Sequence, residues 1–209
     1  MASLKDNNNI KLFGLISAAL LICSWFQFGM LVKHELTDYL LFGAYSTLFS
    51  AVVVMINNVM PSALKHKIVF TRWKHELPAS RLDAICKKDS RILFKEVENK
   101  WPEIFSSETD PHTRNGLWYK QIYKPVIDRP EVSHAHQNFL LYRDVSTSII
   151  VIVLLIACYD VYRYWYALEV LAVEKNVYAV LGVFTLLALI SARNNGERFV
   201  LTTVAAHET

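Results

Sequence analysis

The chain has 209 residues, 53% of them hydrophobic, with a mean hydropathy of +0.24 and a formal net charge of +3. That composition argues against an ordinary soluble domain of this length and for a membrane protein. Three scattered cysteines, Cys23, Cys86 and Cys158, supply neither a disulfide framework nor a thiolate metal cluster.

Residues 12–32 contain no Asp, Glu, Lys or Arg over 21 positions, and residues 39–64 contain none over 26. About 20 apolar residues cross a bilayer core, so both stretches predict membrane helices. Leu20-Leu21-Ile22-Cys23 has the outline of a lipoprotein cleavage site, but Ile22 is too large for the position before the cysteine. The apolar run also exceeds a typical signal-peptide core, so the first span is expected to be retained. Small residues recur at helical spacing: Gly14 with Ala18, Gly43 with Thr47, and Ser46 with Ser50. Such pairs let helices approach closely, within a subunit or between subunits. Gly43, Ser46, Thr47 and Ser50 are therefore the candidate oligomer-packing residues. Gln27, Asn57 and Asn58 are expected to face protein or the interface rather than lipid.

Residues 63–75 carry Lys65, Lys67, Arg72 and Lys74 without an acidic residue, interleaved with Leu64, Ile68, Phe70 and Trp73. A basic stretch with aromatic anchors beside a span attracts anionic lipid headgroups, at about 1 kcal/mol per basic side chain. Lys65, Lys67, Arg72, Trp73 and Lys74 are the candidate lipid-surface or partner-binding residues. A protein partner is the alternative, and direct nucleic-acid binding is not expected. Beyond Pro78 the pattern reads as short helices without an alternating strand. Ser80 with Asp83 suggests a capping box for residues 81–88, Asp89 a cap for a helix through Lys100, and Asp110-Pro111 a third start closed by Lys124-Pro125.

Asp128, Pro130 and Glu131 form a helix start, and no breaker follows until past Tyr166. The expectation is one helix of about 35 residues, roughly 50 Å long, containing a third span over residues 145–166. Asp160 and Arg163 make an i,i+3 pair near its end, within an aromatic belt of Tyr159, Tyr162, Tyr164, Trp165 and Tyr166. Residues 177–192 form the fourth apolar run. Asn194-Asn195-Gly196 reads as a turn after it, and the tail with Phe199, Val200 and Val204 is expected to dock on the middle domain.

Near the span ends, Lys5, Lys11, Lys65, Lys67, Arg72, Lys74, Arg129, Arg143, Arg193 and Arg198 fall on one side, against Lys33, Arg163 and Lys175 on the other. The positive-inside rule then places both termini and the middle domain in the cytoplasm. The expected layout is transmembrane helices in 1–60, a basic helical cytoplasmic domain over 61–144, transmembrane helices in 145–192 and a tail from 193 to 209.

His134 and His136 lie two apart, which on a helix points them in different directions, and His112 has no cysteine support, so a metal site is not expected. Arg129 followed by His134 or His136 meets the loose Arg-to-His spacing of HEPN-type ribonucleases, but a helix start explains the same residues. No nucleotide loop, nucleophile elbow or zinc-protease motif is present in the sequence. No cofactor is implied.

The fold expected is all-α: a polytopic membrane protein with four transmembrane helices and a small helical cytoplasmic domain between helices 2 and 3. In that layout, carried by spans 12–32, 39–60, 145–166 and 177–192, the chain resembles the small four-span membrane components of bacterial anti-phage systems, such as the membrane subunit of Kiwa. The resemblance is one of architecture and transfers no functional residue. It implies a non-enzymatic, homo-oligomeric inner-membrane sensor or scaffold that recruits a cytoplasmic effector. A pore-forming effector is the first alternative, and a HEPN-like ribonuclease or lipid enzyme the second.

Overall fold

The computed structural model describes residues 4–29, 36–166 and 171–207, and among them every regular element is helical. Lys33, residues 34–35 and residues 167–170 of the expected outer connections lie outside the described residues. In chain order the α-helices are α1 (Leu4–Ser24), α2 (Leu36–Val59), α3 (Ser62–Phe70), α4 (Leu82–Cys86), α5 (Phe94–Lys100), α6 (Pro102–Phe105), α7 (Pro111–Leu117), α8 (Pro130–Trp165) and α9 (Lys175–Ala205). The chain divides into two compact units, one of Met1–Pro61 with Arg143–Ile190, the other of Ser62–Tyr142 with Ser191–Thr209.

Three helices contain stretches long and apolar enough to cross a membrane, within Asn8–Phe28, Pro130–Trp165 and Lys175–Ala205. A fourth follows if Gly43–Val59 is counted together with Ser62–Phe70 across the intervening break. That break has a local cause: Pro61 has no N–H to continue the ladder, and Met60 N–H closes the last turn on the Ile56 and Asn57 carbonyls.

In the first unit α1 and α2 meet through a ladder of hydroxyls. Ser17 Oγ donates to Ser50 Oγ at 3.0 Å, and Ser24 and Ser46 are joined at 3.1 Å. Small side chains allow the approach, and in lipid their hydroxyls have few other partners. After Ser24 the helix widens into a π turn, Trp25–Gly29, which carries Gln27. Its amide donates to the Ala172 carbonyl and accepts from the Glu174 N–H, both at 2.9 Å, so it faces protein, as expected. Asn57 is fully buried and accepts from Thr147 at 2.7 Å, whereas Asn58 is exposed. The expected Asp160–Arg163 pair is present at 3.5 Å, and Asp160 also accepts from Tyr178 at 2.6 Å.

The second unit is organised around buried Leu82, Ile104, Ile122, Val132 and Val200. Its polar centre is Arg114 on α7. Nε donates to the Ile104 carbonyl, Nη1 to Ser80 O and the Asp83 carboxylate, and Nη2 to Ser106 O and Thr109 O. Asp110 caps α7 as expected, accepting from the His112 and Thr113 N–H groups. Past Leu117 the helix continues as a π stretch, Trp118–Tyr123, and a 3-10 turn, Lys124–Val126. Five-residue hydrogen bonding brings positions five apart onto one face, which stacks Trp118 on Tyr123 with centroids 5.5 Å apart.

Three expected local features are corrected. Ser80 does not form a capping box: it lies in a 3-10 turn, Pro78–Arg81, and its hydroxyl returns to Leu77 O, while Asp83 is held by Arg114. Asp89 does not cap α5, which begins at Phe94; Arg91 claims its carboxylate at 2.7 Å. Asn194-Asn195-Gly196 is not a turn but part of α9. Asn195 Nδ2 donates back to Ser191 O at 2.8 Å, within the helix itself. Gly196 serves a close approach: a Cβ there would meet Phe70 at 2.8 Å and Phe139 at 3.1 Å. The tail is therefore helical, and its Phe199, Val200 and Val204 are buried.

Candidate anion-binding surface

The basic segment after α2 is divided by its backbone. Lys65 sits on α3 and is 3% exposed, so it is removed from the expected surface set. Helix periodicity is the reason: Lys65 and Val69, four apart, share the buried face of α3. Lys67 is half-buried, while Arg72, Trp73 and Lys74 are exposed, Trp73 at 81%. These last three occupy a short loop flanked by two residues in the left-handed region, Thr71 at φ 49° and His75 at φ 51°. Positive φ is costly for a β-branched residue. Thr71 is held there from both sides of its hydroxyl, which donates to Phe70 O at 2.8 Å and accepts from Arg193 Nη2 at 3.2 Å.

Arg72 does not stand alone. With Arg81, Arg193, Glu197, Phe70 and Thr71 it lines a cavity of about 390 Å³. Arg81 is the last residue of the 3-10 turn, and Arg193 and Glu197 lie one turn apart on α9. Arg193 is fixed by Nε donating to Val69 O at 2.7 Å. Arg81 differs: its Nε is buried and makes no hydrogen bond among the described residues. Burial, then the neighbouring Arg72 guanidinium, pull the Arg81 pKa below the ordinary value, and Glu197 partly opposes this. Three guanidinium groups and one carboxylate on one cavity lining can pair with an anion.

Arg72 belongs to the expected surface set, whereas Arg81, Arg193 and Glu197 do not. The i,i+4 spacing of Arg193 and Glu197 was a usable signal, hidden because residues 194–196 read as a turn.

The candidate packing residues of α2 separate by face. Ser46 and Ser50 are buried and bonded to Ser24 and Ser17 of α1, so they serve packing within the chain and are not free to pair subunits. Thr47 is exposed and bonds back to Gly43 O, and a Cβ on Gly43 would meet nothing within 4 Å. The first unit also holds an apolar cavity of about 300 Å³, with Ser24, Gln27 and Ser46 on its lining.

His136 accepts or donates with the Tyr123 hydroxyl at 3.0 Å and stacks on Phe199, with centroids 4.6 Å apart. Burial raises the Tyr123 pKa, with Tyr119 adding to it. His134 is exposed beside Asn138, and Arg129 pairs with Glu131 at 4.0 Å. His112 is exposed at the start of α7. No protein-family model matches the chain, nor does any curated protein or solved structure.

Proposed function

We propose that the protein is a non-enzymatic, multi-pass inner-membrane scaffold that self-associates and recruits a soluble effector, with phage defence as the context suggested by its four-span layout. The observation supporting this reading is that α8 and α9 each supply residues to both compact units. A stimulus that moves either helix in the bilayer thus has a hydrogen-bonded helical path to the unit displaying Arg72, Trp73 and Lys74. Exposed Trp and Arg side by side are also the residue types that dominate protein–protein binding energy.

The test is proximity labelling in native membranes, with the labelling enzyme fused after Thr209. A soluble protein should be enriched by the wild type and lost with R72Q/W73A/K74Q, both variants inserting equally. Equal labelling by the two, or depolarisation of cells by the wild type without any partner, would overturn the scaffold reading.

A further inference from the structure

We propose that the cavity bounded by Arg72, Arg81 and Arg193 binds a phosphate monoester, carried by a lipid headgroup or by a soluble phosphorylated compound. The inference rests on the second unit alone and does not depend on recruitment of an effector.

Charge sets the ligand class. Three guanidinium groups and one carboxylate line the cavity, leaving two positive charges, which a phosphomonoester dianion neutralises and a diester or carboxylate does not. Size agrees, because about 390 Å³ lies within the range of about 300–1,000 Å³ for small-ligand sites. Donor geometry agrees as well. Arg193 is preorganised by Val69 O and Thr71 Oγ1, so part of its fork is spent on orientation. Arg81 lines the same cavity, and its Nε, shielded from solvent, has no acceptor among the described residues. Arginine forks pair with phosphate oxygens two bonds at a time. The left-handed Thr71 fits the same picture, since strained residues concentrate where a ligand is held. Glu197 offsets part of the positive charge beside Arg81 and weakens anion binding somewhat.

The full chain in detergent is used for both arms. Native mass spectrometry compares phosphatidic acid, a monoester, with phosphatidylglycerol, a diester, at matched total charge. Inorganic phosphate is titrated separately and followed by thermal stability. A preference for phosphatidic acid of roughly tenfold assigns a lipid source; stabilisation by phosphate without lipid preference assigns a soluble one. R81Q should remove the response by roughly tenfold or more, the value of a charge-assisted pair of bonds. E197Q should strengthen binding by roughly fivefold, a gain that misfolding cannot mimic. Absence of a response to both phosphatidic acid and inorganic phosphate, an R81Q protein that binds like wild type, or an E197Q protein that binds more weakly would each overturn the site.

Discussion

Arg114 has five N–H donors and uses them on four backbone carbonyls and one carboxylate. A guanidinium is the side chain that can do this, because its fork is planar and all five protons diverge. Truncation to Ala strands several buried acceptors, so Arg114→Ala should cost about 3–5 kcal/mol. Arg114→Lys should recover less than half of that, since an ammonium has three donors. A thermal scan of the detergent-solubilised chain checks both, and an Arg114→Ala melting point within about 2 °C of wild type would remove Arg114 from this role. Nothing in the sequence around Arg114 announces it: acceptors from residues 80, 83, 104, 106 and 109 converge only after folding. The opposite holds for Gln27 and Asn57, whose cost in an apolar run was readable before any contact was known. Gly196 shows a third case, a glycine whose sequence context suggests a turn while its missing Cβ serves the approach of two phenylalanine rings.

The long elements follow from their apolar runs. Leu36–Val59 and Pro130–Trp165 match their expected helices closely because no breaker interrupts them. The short elements of the second unit do not follow, because side-chain pairing such as Asp89 with Arg91 overrides local capping signals. For α2 the sequence shows which residues are small but not which way they face. Ser50, buried against Ser17, and Thr47, exposed on the outer face, separate the two roles experimentally. Ser50→Leu should weaken the pairing of α1 and α2 by about 1–2 kcal/mol, visible as a lowered melting point in detergent. Thr47→Leu should leave the melting point unchanged and, if the proposed self-association uses this face, lower the mass of the detergent-solubilised particle. Equal masses for Thr47→Leu and wild type would exclude the outer face of α2 from self-association.

At the level of the whole chain, the expectation of a membrane protein rests on composition and apolar length, and the three to four candidate spans accord with it. The anion-binding cavity was only partly legible, since it draws Arg72 and Arg81 from one stretch and Arg193 and Glu197 from another more than a hundred residues away. The ten-to-three partition of basic residues near the span ends predicts that both termini and the middle domain are cytoplasmic. Alkaline phosphatase fused after Thr209 or inserted at Ser106 should be inactive, and a cytoplasmic reporter at the same positions active. Phosphatase activity at either position would invert the topology.

The grip of Gln27 on Ala172 and Glu174 has a consequence for biogenesis. The two ends of the shorter of these contacts lie 145 residues apart. At about 5–20 residues per second, translation separates their synthesis by roughly 7–30 s. For that interval Gln27 lacks both of these backbone partners. A chain truncated before residue 172 therefore lacks both backbone partners of Gln27.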